Sequence, residues 1–330
     1  MISPSGVARY DTDDPRNGTA VTEVTFEDLV AEHQRELLVH CYRLLGSVTD
    51  AEDVLQEALL AAWRGLDGFE GRASLRSWLY RIATNRCLNA LRTRGRRIPP
   101  EPQPPFQPPE PSRRGDMTWL QPYPDALLEH VPDTDPSPEA RYTAREAIEL
   151  AFITALQRLT PRQAAVLVLC DVLGYPLGEV ASMLDTTPTA IKGLLQRARG
   201  AIERHRDAAG TPPAAGSASE RQVVKRFAEA FAGDDFDTLV SLLTDEAWLA
   251  MPPAPHEYHG VAAIISFLRT SAAWRAGQGL RMRLRPTRMN GQPAFVCHHV
   301  GDATQRPGGL MVLTLAGARL RGMTLFLHDI

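Results

Sequence analysis

Apolar side chains recur at every third or fourth position in three successive segments between residues 26 and 93. That spacing places them on one face of an amphipathic helix, so the pattern predicts three consecutive helices. The first ends at Gly46, the second opens at a capping box formed by Thr49 and Glu52, and the third opens near Ser74. The side chains expected to face inward from the second helix are Val54, Leu55, Ala58, Leu59, Ala62 and Trp63.

A further stretch, residues 177–202, repeats the helical period on both sides of a short break at Asp185. Thr187 is a good N-cap, and Pro188 suits the first helical position, where no backbone donor is needed. The pattern therefore predicts a helix, a tight turn and a second helix. The apolar positions are Leu177, Val180, Ala181 and Leu184 before the break, and Ile191, Leu194, Leu195, Ala198 and Ile202 after it.

The pattern changes again from Glu220 onward. Residues 220–247 indicate two helices joined at Gly233, and residues 261–270 indicate a short helix. Alternating or continuous apolar runs bounded by Gly, Asn and Pro then predict strands. We expect an α+β domain here, with strands at 280–289, 293–300, 309–320 and 322–330.

Proline-rich and small-residue stretches separate these parts. Residues 99–111 are mostly proline and cannot form a helix, so we expect an extended spacer there. The wider linker also contains one short apolar run, WLQPYPDALLE (119–129). Residues 207–219 read as a second, flexible linker. The predicted organisation is a disordered tail (1–22), a helical domain (23–97), a Pro-rich linker (98–140), a second helical domain (141–206), a flexible linker (207–219) and an α+β domain (220–330).

The net charge of −3 argues weakly against a nucleic-acid partner, but the charge is unevenly distributed. Residues 72–97 contain eight arginines and no acid, which is the local footprint that phosphate binding needs. The four cysteines are far apart, without the spacing of a metal site or a disulfide framework. No apolar signal core or membrane-length run is present, so we expect a cytoplasmic chain with no membrane partner.

Three helices carry candidate chemistry. Opposite the apolar face of the helix that begins at Pro188 lie short, polar and basic groups that suit base edges and phosphates in a major groove. The alternative is an ordinary helical hairpin with a solvated face. In the helix after Ser74, Trp78 and Tyr80 alternate with arginines, which suits single-stranded DNA. The alternative places Trp78 in the core and leaves the arginines solvated.

The second helix is acidic, with Asp50, Glu52, Asp53 and Glu57 close together. Such a face repels DNA and suits docking to a protein. The alternative is a solvated face in which acids near the helix N-terminus are favoured by the helix dipole.

Together the segments resemble sigma factors of the sigma-70 family, extracytoplasmic-function group. DAEDVLQEALLAAW resembles the polymerase-binding helix of region two, and FEGRASLRSWLYRIATNRCLNALR its −10 melting segment. LTPRQAAVLVLCDVLGYPLGEVASMLDTTPTAIKGLLQRARGAI resembles region four, which reads the −35 element. Region three is absent, and the Pro-rich linker takes its place, as in this group.

The resemblance implies a promoter-specificity subunit that uses core RNA polymerase, through its β′ clamp helices and β flap, and promoter DNA as partners. It implies polymerase binding by Asp53, Gln56 and Glu57. It implies −10 contacts by Phe69, Arg72, Ser74, Trp78, Arg81, Asn85, Arg86, Asn89 and Arg92. It implies −35 contacts by Thr187, Thr189, Lys192, Gln196, Arg197 and Arg199.

The C-terminal part resembles SnoaL-like cones, in which helices wrap a curved sheet around a pocket. The fold class expected is therefore two all-α sigma domains plus an α+β cone. Such pockets bind small molecules or catalyse on them. The acid–base candidates, which stand at no telling spacing, are Asp235, Asp237, His256, His259, His298 and His299.

We therefore expect a regulatory domain with a possible small-molecule ligand, and no catalytic residues, cofactor or metal. One alternative is a stand-alone helix-turn-helix regulator with a ligand-sensing domain, which would need neither the acidic helix nor the aromatic–arginine helix. Another is a small-molecule enzyme whose activity resides in residues 220–330.

Overall fold

The computed structural model of the protein describes residues 7–8, 24–69, 71, 73–93, 104–114, 120–128, 148–203 and 212–327. Strands β1 (Val7–Ala8) and β2 (Val24–Thr25) pair antiparallel ahead of the first helix. The rest of the predicted disordered tail, residues 1–6 and 9–22, lies outside the described residues.

The three helices predicted between residues 26 and 93 are confirmed: α1 (Phe26–Leu45), α2 (Val48–Gly65) and α3 (Leu75–Thr93). The capping box predicted at Thr49 and Glu52 is wrong. The N-cap of α2 is Ser47, whose hydroxyl oxygen accepts the Asp50 backbone N–H at 3.1 Å. Thr49 lies inside the first turn of the helix, because Gly46, with φ at 70°, already ends α1.

The inward position predicted for Trp63 is also wrong, since that residue is 56% exposed. Ala58 and Ala62 occupy the buried seam of α2 and are 3% and 0% exposed. Trp63 follows Ala62 by one residue, which is about 100° around a helix, and this offset turns its ring away from the bundle.

The second helical part contains α4 (Leu150–Gln157), α5 (Pro161–Leu167), α6 (Leu177–Met183) and α7 (Pro188–Glu203). A π-helical turn over Val168–Val172 extends α5, and the sequence pattern did not indicate it. The backbone N–H of Tyr175 donates to the Leu169 carbonyl at 3.0 Å, which closes this turn before α6 begins. The predicted helix, turn and helix over 177–202 are confirmed.

The C-terminal part is α+β, as predicted. Helices α8 (Ala218–Ala232), α9 (Phe236–Leu242) and α10 (Val261–Gly277) accompany strands β4 (Leu243–Ala250), β5 (His256–His259), β6 (Arg281–Met289), β7 (Gln292–Val300), β8 (Gln305–Ala316) and β9 (Arg319–Phe326). Residues 243–247 are strand where helix was expected, and β5 was not predicted. The predicted strand 309–320 contains the turn between β8 and β9.

Part of the Pro-rich linker joins this sheet. Strand β3 (Arg113–Arg114) pairs with β5, which gives the strand order β3-β5-β4-β9-β8-β7-β6. Only β4 and β9 pair in parallel among these strands. Residues 99–111 were expected to be an extended spacer, but the described residues of the linker, 104–114 and 120–128, lie on the folded parts on either side of it.

Two apolar cores result. One lies inside the C-terminal part, between the concave face of the sheet and helices α8 to α10. The other is continuous across both helical parts and the linker, and it also includes residues of the sheet. Those sheet residues are Met289, Ala294, Leu310, Val312 and Phe326. The three folded parts therefore share one core in this state.

Candidate nucleic-acid and protein interfaces

Helix α7 is held in place by its N-cap and by its buried face. Asp185 takes the left-handed conformation, with φ at 48°, and turns the chain after α6. The Thr187 hydroxyl then accepts the Ala190 backbone N–H at 3.3 Å, so the predicted N-cap is confirmed. Ile191 and Ala198 are fully buried, and this leaves the opposite face of α7 toward solvent.

The six residues predicted to meet a DNA duplex are all exposed: Thr187, Thr189, Lys192, Gln196, Arg197 and Arg199. Arg199 differs from the others because it forms a two-point ion pair with Asp171 of the π-helical turn. Its Nε and Nη2 donate to the two carboxylate oxygens at 2.9 and 2.6 Å. These hydrogen bonds raise the pKa of Arg199 and brace α7 against the turn.

Helix α3 presents a row of polar groups beside an aromatic pair. Arg81, Arg86, Asn89 and Arg92 are exposed, as is Ser74, whose hydroxyl accepts the Ser77 backbone N–H at 3.1 Å and caps the helix. The rings of Phe69 and Trp78 are half-buried, with centroids 5.0 Å apart. Arg72, also predicted to contact DNA, lies outside the described residues.

Asn85, the remaining residue of the predicted strand-binding set, contacts the second helical part instead. Its side-chain amide donates to the Met183 carbonyl of α6 at 3.2 Å. Helix α3 and the first helix of the helix-turn-helix are therefore joined at this point.

A buried ion pair supports the same contact, and sequence reasoning missed its role. Arg76 donates to the Glu36 carboxylate at 2.8 to 3.1 Å and to the Tyr175 hydroxyl at 3.3 Å. Glu36 is 6% exposed, and Tyr80 adds a hydrogen bond to it at 3.2 Å. Arg76 had been grouped with the DNA-binding arginines, but here it connects α1, α3 and the turn before α6.

Helix α2 keeps an exposed face that is both acidic and apolar. Asp53, Gln56 and Glu57, the predicted polymerase-binding residues, are exposed. Leu60 and Trp63 follow on the same face and are 54% and 56% exposed. Since large exposed apolar side chains inside a polar rim mark protein-interaction surfaces, this face can dock a protein.

One side chain of the C-terminal part, Asn290 at the turn between β6 and β7, contacts both helical parts. Its Nδ2 donates to the Tyr42 hydroxyl and to the Ile148 carbonyl, each at 2.8 Å. Its Oδ1 and backbone N–H pair with the backbone N–H and carbonyl of Tyr123, also at 2.8 Å. Tyr42 in turn donates to the Gln121 carbonyl at 2.8 Å.

We call Tyr42, Gln121, Tyr123, Ile148 and Asn290 the clasp. Asn290 is fully buried and has φ at 56°, a conformation that asparagine tolerates better than most residues. Burial raises the pKa of the Tyr42 hydroxyl, which therefore stays protonated and can both accept and donate. The Asn-Gly pair at 290–291 was a readable signal of a tight turn, but not of these partners.

The acid–base candidates of the C-terminal part do not meet in one site. Asp235 caps α9, accepting the Thr238 backbone N–H at 3.0 Å. His259 is exposed on β5 and contacts the Glu257 carboxylate at 2.8 Å, whereas His299 is buried at a cavity. Burial and the nearby Arg275 charge lower the pKa of His299. Of the six candidates, His299 is the one that lines the cavity.

Two kinds of feature are absent from the described ranges. No helix there is both long and apolar enough to cross a bilayer. No group of three or more His, Cys, Asp or Glu side chains there is arranged to hold a metal ion.

Three family descriptions match separate parts of the chain. Sigma-70 region 2 matches residues 29–97, and Sigma-70, region 4 matches residues 149–202. A SnoaL-like domain matches residues 224–327. The order of these matches follows the order of the three folded parts.

Known proteins share this organisation. The chain is 41% identical over 300 residues to ECF RNA polymerase sigma factor SigG of Mycobacterium tuberculosis (strain CDC 1551 / Oshkosh). The aligned region covers 89% of this chain and 79% of that protein. The chain is 30% identical over 253 residues to ECF RNA polymerase sigma factor SigJ of Mycobacterium tuberculosis (strain ATCC 25618 / H37Rv), covering 75% and 73%.

The crystal structure of Mycobacterium tuberculosis SigJ is similar in fold. It aligns with a TM-score of 0.60 at 24% identity, covering 92% of this chain and 96% of that one. The chain therefore belongs to the extracytoplasmic-function (ECF) RNA polymerase sigma factors, and carries sigma-70 regions 2 and 4 followed by a SnoaL-like domain.

Proposed function

We propose that this chain binds core RNA polymerase and directs it to specific promoters, as sigma factors do. The observation that carries the proposal is the exposed face of α2, where Asp53, Gln56 and Glu57 lie beside Leu60 and Trp63. The acids give this face the charge to select a basic partner, and the two apolar side chains supply area to bury against it. The partner surface is the β′ clamp helices, while the β flap holds region 4.

Region 4 reads the −35 duplex through α7. Thr189, Lys192, Gln196 and Arg197 project from the exposed side of this helix, and Thr187 contributes at its N-terminus. Lysine and arginine neutralise phosphates, and glutamine and threonine suit base edges in a major groove. Arg199 contributes through its pair with Asp171, which fixes the angle of the helix.

Region 2 melts the −10 element and holds one strand of it. The Phe69 and Trp78 rings offer stacking surfaces, and Arg81, Arg86 and Arg92 line the same helix with positive charge. Stacking on aromatic rings combined with backbone neutralisation is how single strands are held. The loop at 69–74, with Arg72 and Ser74, takes a flipped base, and Asn85 and Asn89 lie along the strand.

We call the state in which the three folded parts share one core the packed state. Regions 2 and 4 must move apart from this state before both promoter elements can be read. Two sites one turn apart on a duplex are separated by about 34 Å, whereas Asn85 of α3 contacts Met183 of α6 at 3.2 Å. Regions 2 and 4 must therefore separate on the promoter. Because the clasp ties the SnoaL-like domain to both regions, this domain modulates the activity of the chain by stabilising the packed state.

The role of a sigma factor also determines what we propose about catalysis, cellular location and domain bounds. The chemistry of RNA synthesis belongs to the polymerase, so the chain catalyses nothing, needs no cofactor and acts in the cytoplasm. Its parts are a tail (1–22), region 2 (23–97), a linker (98–140), region 4 (141–206), a second linker (207–219) and the SnoaL-like domain (220–330). The cavity beside His299 takes a small molecule.

Reversing one charge on α2 tests polymerase binding. Asp53→Arg should weaken binding to core polymerase at least tenfold and lower run-off transcription on a genomic promoter library, because an exposed acid of the docking face becomes a cation. Glu32→Arg is the matched control, since Glu32 is an exposed acid on a different helix, α1. Equal binding by both variants and the unaltered chain, measured by fluorescence anisotropy, would exclude α2 as the docking face.

Removing two charges from α7 tests the −35 proposal. The holoenzyme carrying Lys192→Ala with Arg197→Ala should bind promoter duplex more weakly, and the slope of log affinity against log salt should fall by about two. The control removes Lys225 and Arg226, which are exposed on α8. If the α8 double variant loses as much salt dependence as the α7 variant, α7 is not the duplex-reading helix.

Changing the clasp tests the proposed role of the SnoaL-like domain. Asn290→Asp keeps the size of the side chain but replaces the amide donor that Tyr42 and Ile148 accept from, so the packed state is weakened. Small-angle scattering should give a larger radius of gyration, and run-off transcription should rise.

Gln278→Glu adds the same charge at an exposed turn of the same domain and should change neither quantity. An unchanged radius and unchanged transcription in Asn290→Asp, with the circular dichroism of the folded chain retained, would reject regulation through the clasp.

A further inference from the structure

The Pro-rich linker enters the cavity of the SnoaL-like domain. Pro104, Pro105 and Phe106 line this cavity together with residues of the sheet and helices. The Phe106 ring packs against Phe267 and Trp274, with centroids 5.5 and 6.0 Å away. A residue between regions 2 and 4 in sequence therefore forms part of the wall of the third folded part.

The linker is fixed downstream of this point by hydrogen bonds. The Tyr258 hydroxyl donates to the Pro109 carbonyl at 2.8 Å, and the His259 backbone N–H donates to the Ser112 hydroxyl oxygen at 3.2 Å. Strand β3 then pairs with β5. The same linker continues to Gln121 and Tyr123 of the clasp. Phe106 and two residues of the clasp therefore belong to the same linker, whose described residues are 104–114 and 120–128.

The space left in the cavity is small while Phe106 is in place. Its volume is about 90 Å³, whereas an engineered apolar cavity that binds benzene in another protein has a volume of about 150 Å³. Withdrawing the Phe106 ring frees the volume of one aromatic ring and makes the cavity large enough for such a ligand. The space vacated has the shape and the apolar surroundings that an aromatic ring fits.

The polar groups at the cavity define the rest of the ligand. Most lining side chains are apolar, and Ser271 and His299 are the two that carry an O–H or ring N–H. Ser271 accepts from Arg275 Nη1 at 3.0 Å, so its own hydroxyl proton is left to donate. Asp234 pairs with the Arg275 guanidinium and offsets its charge. A ligand with one hydrogen-bond acceptor and no charge suits this wall.

We propose that Phe106 is a tethered plug, and that a small uncharged aromatic molecule with one hydrogen-bond acceptor competes with it for the cavity. Binding of that molecule expels residues 104–114 from the SnoaL-like domain and thereby loosens the clasp. The proposal rests on the proposed function only for its effect on transcription, because the competition itself needs no polymerase. Since the plug must leave before the ligand enters, the apparent affinity of the unaltered chain is reduced by the fraction of time the cavity is open.

The competition is tested with acetophenone, an uncharged aryl ketone, on the full chain. Phe106→Ala should bind acetophenone at least tenfold more tightly than the unaltered chain in ligand-observed NMR titrations. Gln107→Ala, which changes the exposed neighbour of Phe106, should bind like the unaltered chain. Equal affinity of all three proteins, or binding to none of them, would overturn the proposal.

A second readout follows the linker directly and covers the case in which a variant misfolds. Trypsin cuts after arginine, and β3 holds the Arg113–Arg114 bond in the sheet. Saturating acetophenone should speed cleavage of this bond severalfold in the unaltered chain, and Phe106→Ala should do so without ligand. Acetophenone that binds but leaves the cleavage rate unchanged would refute the coupling. Failure of transcription in every variant, with both effects present, would refute the sigma activity alone.

Discussion

One buried side chain, Asn290, contacts all three folded parts of this protein. Asn290 forms four hydrogen bonds of 2.8 Å to region 2, to the linker and to the first residue described in region 4. A buried donor or acceptor that loses its partner costs about 1–3 kcal/mol, so these bonds are made or broken together. The clasp consequently acts as a single latch, and the apolar core that spans all three parts closes around it.

The packed state conflicts with DNA recognition, and opening of the clasp removes that conflict. The groups that suit DNA are exposed on α3 and α7, yet Asn85 and Arg76 of α3 contact the region 4 segment. In contrast, the acidic and apolar face of α2 is exposed in the packed state. We therefore expect core polymerase to bind α2 first. The free energy of the polymerase and promoter contacts that form afterwards can then separate regions 2 and 4. The affinity for promoter DNA is then reduced by the fraction of molecules still packed.

The sequence was most informative where the signal was local. Periodicity gave the three helices of region 2 and the helix-turn-helix, and Thr187 was identified as the N-cap of α7 from its residue type and from Pro188. The errors made from these local signals were confined to single residues or to the end of one element. Thr49 was predicted as the N-cap of α2, which is Ser47. Trp63 was assigned to the buried face, but it lies one position past it. The start of β4 was assigned to a helix, because β4 follows α9 with no turn residue between them.

The contacts between the folded parts could not be predicted in the same way. Asn290, Phe106 and Arg76 have no periodic neighbours that reveal their partners, and their contacts join residues between 99 and 248 positions apart. A proline-rich segment predicts extended backbone, but not the surface on which that backbone lies. Likewise, the residue types suited to DNA were readable on α3, although one of its arginines serves an interdomain contact.

Separation of regions 2 and 4 is measured most directly as a distance between them. Nitroxide labels on cysteines placed at Glu32 and Ser182, both exposed, would report it by pulsed electron resonance in a chain with Cys170, the only half-buried cysteine, replaced by serine. We predict one short distance in the free chain and a shift of the distribution to longer distances with core polymerase and promoter DNA. The same distribution in both states would contradict the opening of a latched sigma factor.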